Sequence, residues 1–256
     1  MNRITELFDK KKSNILSIYF TAGYPKLNDT AKICAALQEA GVDLVEIGMP
    51  FSDPVADGAT IQQSSRAALQ NGMSLDILFS QLLAIRKTCT LPLILMGYLN
   101  PVLQFGVERF AERCKELSID GVIIPDLPLE LYLRDYKDIF EKRNLLNIFL
   151  ITPQTAEERM RYIDQVSSGF IYAVSSAAVT GGSIDMQSRS KYLERLKNMK
   201  LGAPIMVGFG ISGKRDFEEV CKYAAGGIIG SAFIRKIEQS IDLTEEVKEF
   251  ISQFKL

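Results

Sequence analysis

Apolar runs of strand length alternate with amphipathic helical patterns along the whole chain. Eight of these runs are almost continuously apolar, which is typical of parallel strands that are covered on both faces. The runs are ILSIYFTA (15–22), DLVEIGM (43–49), PLILMGYL (92–99), GVIIPDL (121–127), LNIFLIT (146–152), FIYAVSS (170–176), PIMVGFG (204–210) and GIIGSAF (227–233). Intervening segments such as NDTAKICAALQEAG and GKRDFEEVCKYAAG place apolar residues at helical spacing and predict helices.

This alternation predicts a closed barrel, because regular strand–helix repeats form parallel strands joined by right-handed crossovers. Eight units in about 250 residues match an α/β fold of the (β/α)8 TIM-barrel type. A doubly wound open sheet is the main alternative, but it usually carries a glycine fingerprint where this chain has TAGYPKLND. Ile4, Leu7 and Phe8 predict an extra N-terminal helix, and the loops after strands two and six are long. We expect residues 1–256 to form a single TIM-barrel domain, since no linker divides them.

Composition and charge exclude several classes of partner. Hydrophobic residues make up 47% of the 256 residues and charged residues 24%, which are ordinary values for globular proteins. The net charge of −1 does not favour nucleic acid or an anionic membrane surface. There is no apolar signal segment, no membrane-span pattern and no CxxC pair among the four cysteines. We therefore expect a cytoplasmic protein that binds neither nucleic acid nor membranes.

The chain contains no histidine, and this absence restricts its chemistry. A Ser–His–Asp triad, a Cys–His pair, a His-ligated zinc site and a histidine general base are all excluded. No lysine falls at the end of a predicted strand, so a Schiff-base aldolase mechanism is not expected either. If this barrel makes or breaks carbon–carbon bonds, we expect carboxylates to carry the acid–base steps without a metal.

The segment EIGMPFSDPVADG, at the end of the second strand, supplies candidate carboxylates. Active sites of such barrels lie at the C-terminal ends of the strands. Glu46 interrupts an apolar strand, and a buried carboxylate is costly unless it is used or paired. No arginine or lysine lies inside a predicted strand, which favours catalysis over a structural ion pair. Asp53 or Asp57 could complete an acid–base pair or cap the next helix, and we assign Asp126 to capping or loop hydrogen bonding.

Small residues near the last three strands indicate an anion site and a lid. GFGIS (208–212) and Gly230-Ser231 lie where barrels often bind phosphate through backbone amides, although glycines can also serve only to turn the chain. No basic side chain falls at these strand ends, so backbone dipoles would carry the binding. The long polar segment SSAAVTGGSIDMQSRS (175–190) fits a lid over substrate, or alternatively a plain surface connection.

Six motifs occur together and in order: FTAGYP, VEIGMPFSDPVADGATIQ, YLNP, PDLP, YAVSSAAVTGG and GFGIS. With these motifs the chain resembles the tryptophan synthase alpha chain family over essentially its full length. The resemblance implies a carbon–carbon lyase that cleaves indole-3-glycerol phosphate to indole and glyceraldehyde 3-phosphate in a retro-aldol reaction. A catalytically weak chain that mainly activates its partner is the alternative. Another phosphate-binding barrel is a third possibility, against which the PFSDPxADG loop argues.

The resemblance also implies roles for single residues. Glu46 matches the catalytic acid–base group, Asp57 matches the acceptor of the indole N–H, and Tyr172 matches a tyrosine beside the glutamate. The implied phosphate contacts are Gly181, Gly210, Gly230 and Ser231. The implied indole pocket consists of Tyr19, Met96, Tyr98, Leu127 and Phe209, and the implied lid residues are Thr180 and Gly181. The chain departs from the common family pattern at Tyr19, Ser176 and Ala178.

The resemblance implies a partner as well. The family works with a beta chain, which uses pyridoxal phosphate to join indole to serine in L-tryptophan synthesis. The two chains form an alpha2beta2 heterotetramer, and Pro50, Asp53 and Asn100 match contacts with the beta chain. The pyridoxal phosphate belongs to that partner, so we expect no cofactor and no metal in this chain.

Overall fold

A computed structural model describes residues 2–174 and 186–254 of the protein. Eight parallel strands form a closed barrel in which each strand pairs with the next and the last pairs with the first. The strands are β1 (Ile15–Thr21), β2 (Leu44–Gly48), β3 (Leu93–Met96), β4 (Gly121–Ile123), β5 (Leu146–Ile151), β6 (Ile171–Ala173), β7 (Ile205–Val207) and β8 (Gly226–Ile229). This closed order confirms the predicted (β/α)8 fold and rules out the open sheet.

Helices surround the barrel, and two of them, α3 and α4, follow β2. They are α1 (Arg3–Lys10), α2 (Asp29–Ala40), α3 (Ala59–Gln70), α4 (Leu75–Ile85), α5 (Leu99–Phe105), α6 (Val107–Glu116), α7 (Leu129–Leu131), a π-helical segment (Tyr132–Tyr136), α8 (Lys137–Glu141), α9 (Glu157–Val166), α10 (Met186–Met199), α11 (Lys214–Cys221), α12 (Ser231–Ile237) and α13 (Leu243–Ser252). Within the described ranges, no helix is both long enough and apolar enough to cross a membrane.

Several strands are shorter than the apolar runs that predicted them. The run at 92–99 leaves the sheet at Met96, and α5 begins at Leu99. The run at 227–233 leaves the sheet at Ile229, and α12 begins at Ser231, so its second half is helical rather than extended. Phe233 in that helix is completely buried. A buried first helical turn is as apolar as a buried strand, so a short apolar run does not separate the two.

The predicted N-terminal helix is present as α1, and it covers the end of the barrel at which the strands begin. Ile4 and Phe8 on this helix are buried, and the Phe8 ring packs against Phe170 with 5.6 Å between ring centroids. Asn2 caps the helix by accepting a hydrogen bond from the Ile4 amide. Its side chain also donates to the carbonyl oxygen of Asp120 at 2.8 Å, directly before β4. This end of the barrel is therefore closed, whereas the candidate site lies at the opposite end.

Asp120 organises the closed end. Its carboxylate is almost wholly buried and accepts hydrogen bonds at both oxygens. Oδ1 lies 3.1 Å from the Arg3 guanidinium, and Oδ2 lies 3.2 Å from the Arg86 guanidinium. Oδ2 also accepts from the Leu93 amide at 2.9 Å, where β3 begins. The carboxylate thus ties α1, α4 and two strands together.

Candidate active site

Glu46 lies at the centre of the candidate site. It sits on β2, opposite Tyr19 of β1 and Ile94 of β3 in the strand register, and its side chain is completely buried. Ser17 donates a hydrogen bond from Oγ to Glu46 Oε1 at 2.9 Å, whereas Oε2 has no partner in the part of the chain that the structure describes. Burial raises the pKa of Glu46 to about 8, and the Ser17 hydrogen bond acts in the opposite direction. Among the described residues no cation pairs with Glu46, as its place in an apolar strand predicted.

Two tyrosines flank this carboxylate. Tyr19 on β1 and Tyr172 on β6 are both buried. The Tyr19 hydroxyl lies against Gly48 at the end of β2, and the Tyr172 hydroxyl lies against Gly208 directly after β7. A Cβ added at Gly48 would lie 2.2 Å from the Tyr19 hydroxyl, and one added at Gly208 would lie 2.2 Å from the Tyr172 hydroxyl. Burial, with the negative charge of Glu46 as a smaller cause, raises the pKa of both tyrosines. Both phenols therefore stay protonated and able to donate.

Asp57 lies in the loop between β2 and α3 and is held by Tyr98. The Tyr98 hydroxyl donates to Asp57 Oδ2 at 2.9 Å and accepts from the Ala56 amide at 2.9 Å. Burial raises the pKa of Asp57, and the Tyr98 hydrogen bond partly offsets this rise. Gly58 is the N-cap residue of α3 and the helix has no side-chain cap, so Asp57 does not serve as its cap. The charges of Glu46 and Asp57 both raise the pKa of Tyr172, so the two carboxylates lie near the same tyrosine.

Asp126 accepts a loop hydrogen bond, which is one of the two roles expected for it. Its carboxylate accepts a hydrogen bond from the Leu99 amide at 2.8 Å, at the first residue of α5. Asp53 is exposed and accepts a hydrogen bond from the adjacent Ser52 hydroxyl. Of the acidic residues at the strand ends that the sequence singled out, only Glu46 and Asp57 are thus drawn into the buried site.

The residues predicted to bind phosphate lie at two neighbouring strand ends. Gly210 follows β7 with a φ of +61°, a conformation that side chains rarely adopt. Gly230 and Ser231 begin α12 directly after β8. A Cβ at Gly230 would lie 3.3 Å from the Tyr19 ring, so this loop borders the tyrosine beside Glu46. Gly181, the fourth predicted contact, lies outside the described residues.

A basic side chain that sequence reasoning missed lies behind Gly210. Arg189 on α10 is buried and donates from Nη1 to the Gly210 carbonyl oxygen at 3.0 Å and to Asp216 at 3.4 Å. Asp216 also accepts from both the amide and the hydroxyl of Ser212. Arg189 Nε and Nη2 have no partner among residues 2–174 and 186–254. We expected no basic side chain near the predicted phosphate site. The structure corrects this expectation, because α10, which follows β6, brings Arg189 to the loop after β7.

The predicted indole pocket is largely apolar and lies at the ends of the strands. Tyr98, Leu127 and Phe209 are buried, and Met96 is half-buried at the end of β3. Tyr192 on α10, which sequence reasoning missed, stacks on Phe209 with 5.9 Å between ring centroids. The Tyr192 hydroxyl is buried and has no partner within the described ranges. No signal in the local sequence separates Tyr192 from an ordinary core residue of an amphipathic helix.

The sequence of the chain matches the sequence model of the tryptophan synthase alpha chain family over residues 5–255. The chain belongs to this family. A tryptophan synthase alpha chain of Flavobacterium johnsoniae is 55% identical over 256 residues, with all of both chains covered. One of Parabacteroides distasonis is 51% identical over 256 residues, again with all of both chains covered.

Solved structures agree with this assignment to the tryptophan synthase alpha family. A tryptophan synthase alpha chain from Legionella pneumophila has a TM-score of 0.90 at 34% identity, covering 99% of this chain and 96% of that chain. A chain from an aminoacrylate-bound tryptophan synthase of M. tuberculosis has a TM-score of 0.86 at 27% identity, covering 99% of this chain and 98% of that chain. The resemblance inferred from the six motifs is confirmed.

The family's lid lies mostly outside the described residues. Ser176, Ala178, Thr180 and Gly181 all belong to the segment 175–185, about which the structure makes no statement. The last five residues of the predicted lid, 186–190, instead begin α10. The predicted contact loops are described: Asp53 and Asn100 are exposed, and Pro50 is half-buried.

Proposed function

We propose that this tryptophan synthase alpha family member cleaves indole-3-glycerol phosphate to indole and glyceraldehyde 3-phosphate, with Glu46 as the acid–base group. One observation carries the proposal: Glu46 is completely buried at the mouth of the barrel, and its Oε2 has no partner among the described residues. Leaving a buried carboxylate half satisfied is costly, and such groups cluster at functional sites. The Asp57–Tyr98 pair beside it supplies a second, differently held carboxylate.

The reaction needs a group that both gives and accepts a proton. Protonation of indole C3 gives the indolenine, and removal of the glycerol C3′ hydroxyl proton then lets the C–C bond break. The hydroxyl oxygen becomes the aldehyde oxygen, and the C–C bonding electrons restore the indole ring. With burial raising the pKa of Glu46 to about 8, both protonation states of its carboxyl are accessible near neutral pH.

Asp57 and Tyr172 assist at the two ends of the electron flow. The indole N–H becomes more acidic in the indolenine, and the Asp57 carboxylate accepts its hydrogen bond. Tyr98 holds that carboxylate in place at 2.9 Å. Tyr172, kept protonated by burial, donates to developing negative charge beside Glu46.

The substrate phosphate is assigned to Gly210, Gly230, Ser231 and lid Gly181. Gly210 and Ser231 lie at adjacent strand ends, where small residues let backbone amides approach an anion. Remote binding of the phosphate positions the reacting carbon atoms over Glu46. Tyr19, Met96, Tyr98, Leu127 and Phe209 line the pocket for the indole ring, and Thr180 belongs to the lid that closes over it.

The alpha family implies a beta partner, to which we assign the loops that hold Pro50, Asp53 and Asn100. Two apolar side chains close to these residues in sequence are exposed, Val55 by 74% and Leu103 by 45%. Exposed apolar residues beside polar ones are common in interfaces. We propose an alpha2beta2 assembly in the cytoplasm, with pyridoxal phosphate bound by the beta chain only and indole passed to it for L-tryptophan synthesis.

The decisive experiment measures indole released from indole-3-glycerol phosphate, by the chain alone and with its beta chain. We expect Glu46→Gln and Asp57→Asn each to lower turnover by about 10²- to 10⁴-fold. Binding of glyceraldehyde 3-phosphate, measured by calorimetry, should persist in both variants. The exposed Glu108→Gln is the matched control and should match the wild type. Absence of turnover with and without the beta chain, combined with activation of that chain, would instead support the weakly catalytic alternative.

A further inference from the structure

Ser17 is a polar residue in an otherwise almost wholly apolar strand. All seven residues of β1, ILSIYFT, are buried, and Ser17 is completely so. A hydroxyl in that position needs a hydrogen-bond partner, and its partner is Glu46 Oε1 at 2.9 Å. Ser17 and Tyr19 lie two residues apart on one face of β1, and Tyr19 is the residue opposite Glu46. The serine thus lies one step deeper in the barrel than the carboxylate.

We propose that Ser17 is a positioning residue for the cleavage reaction: it holds Glu46 Oε1 and leaves Oε2 as the oxygen that exchanges protons with substrate. This inference rests on the proposed function. Ser17 acts through Glu46 rather than on substrate, because its hydrogen bond is to Oε1 and not to Oε2. One oxygen with a fixed partner and one without gives the carboxyl group a defined orientation.

Apart from Ser17, no described group around Glu46 donates a hydrogen bond to its carboxylate. Tyr19 from β1 and Tyr172 from β6 are the titratable groups on which the Glu46 charge acts, and Asp57 from the following loop acts on both tyrosines. None of these groups is a cation, and Ile94, opposite Glu46 on β3, is apolar. Within residues 2–174 and 186–254, Ser17 is therefore the one group that donates a hydrogen bond to the Glu46 carboxylate.

The hydrogen bond also sets how much of Glu46 is ionised near neutral pH. Burial raises the pKa of Glu46 to about 8, and the Ser17 hydroxyl counteracts part of this rise because it stabilises the carboxylate. Without the hydroxyl, the ionised form loses its donor and the pKa rises further. Less of the base form is then present at a given pH, so activity falls most on the acid side of the pH profile.

The test combines Ser17→Ala with two measurements. The first is the pH profile of kcat/KM for indole release, and the second is the carboxyl titration of Glu46, followed by NMR with ¹³C-labelled glutamate and assigned with Glu46→Gln. We expect both midpoints to move up by about one pH unit, the size expected for one hydrogen bond to a charged group. Activity should fall about tenfold below the midpoint and approach the wild-type value above it.

Ser64→Ala is the matched control, because it also removes one buried hydroxyl, which pairs with Thr21 rather than with Glu46. It should leave the Glu46 titration unchanged. If Ser17→Ala does not fold, Ser17→Cys provides a near-isosteric, weaker donor, and its midpoint should shift in the same direction by a smaller amount.

An unchanged Glu46 titration in a folded Ser17 variant would overturn the inference, as would a kcat/KM loss that is equal at all pH values. Failure of the proposed function is a separate result. It would appear as wild-type protein without indole release, or as full activity in Glu46→Gln, and neither depends on the Ser17 variants.

Discussion

Two buried carboxylates lie at opposite ends of the same barrel, and they differ in how their oxygens are satisfied. Asp120 at the closed end accepts from two guanidinium groups and two backbone amides, with both oxygens paired. Among the described residues, Glu46 at the open end accepts from one hydroxyl, and its second oxygen is buried without a partner. Burial alone therefore does not distinguish a structural carboxylate from one that we propose to be catalytic. The number and charge of the partners does.

The two carboxylates are expected to affect the free energy of folding in opposite directions. Asp120 joins α1 and α4 to the start of β3 and β4, so its charge contributes to the integrity of the barrel. Among the described residues, the only donor to the Glu46 carboxyl group is the neutral Ser17 hydroxyl, and burial favours the protonated form. We expect its ionisation to oppose folding, which is the usual relation between stability and a reactive buried group. Neutralising the two carboxylates should then have opposite effects on stability.

The largest effect is expected for Glu46→Gln. The pKa of Glu46 is raised from 4.5 to about 8 in the folded protein, so the folded state binds a proton that the unfolded state releases over this range. Wild-type stability is therefore lost as the pH rises from about 4.5 to about 8. The variant lacks this loss and should become relatively more stable over the same window, by up to about 5 kcal/mol at its upper end.

Urea unfolding at several pH values between about 5 and about 9 measures this difference. Glu108→Gln, an exposed change of the same kind, should show no such growth with pH. A stability difference between Glu46→Gln and wild type that does not change with pH would contradict the contrast with Asp120.

Asp120→Asn tests the other end of the barrel and should destabilise. The change leaves the Arg86 guanidinium, whose side chain is 11% exposed, without its buried counter-charge. We expect a loss of about 3 kcal/mol in the free energy of unfolding, since breaking a buried ion pair costs about that much. Turnover per folded molecule should be retained. A free energy of unfolding equal to that of the wild type would show that the ion pairs of Asp120 do not stabilise the protein.

Tyr98→Phe should have the smallest effect of the three substitutions. It removes the one side-chain hydrogen bond to the Asp57 carboxylate that the described residues show, and it leaves the carboxylate itself in place. The change removes the hydrogen bond at Oδ2, so the pKa of Asp57, already raised by burial, rises further. We expect a loss of about tenfold in kcat/KM that is greatest at low pH, corresponding to one charged hydrogen bond. The pH profile measures it, and a uniform loss at every pH would assign Tyr98 to pocket shape alone.

Local pattern predicted a large part of this molecule. The eight apolar runs located all eight strands, and a carboxylate inside one of them identified Glu46 before any contact was known. The motif order identified the family, which the comparisons confirm. Strand ends were predicted less well, because Ser231 begins a buried helical turn with the same apolar character as a strand.

Contacts between distant residues were not predicted. Neither Ser17 in β1 nor Arg189 in α10 was singled out from the sequence. Their partners are 29 and 21 residues away, respectively. Tyr98 was placed in the indole pocket, but its bond to Asp57, 41 residues away, was not expected. Such pairs leave no periodic signal in a single sequence.

The barrel, its order of elements and Glu46 as a candidate carboxylate followed from the sequence alone, whereas Asp57 was assigned through the family resemblance. Periodicity records which residues are buried, and burial of alternating strands and helices specifies this fold. The folded structure was needed to see that, among the described residues, one oxygen of Glu46 has no partner whereas both oxygens of Asp120 are paired. That distinction depends on which donors the closed barrel brings within hydrogen-bonding distance, and barrel closure joins residues that are far apart along the chain.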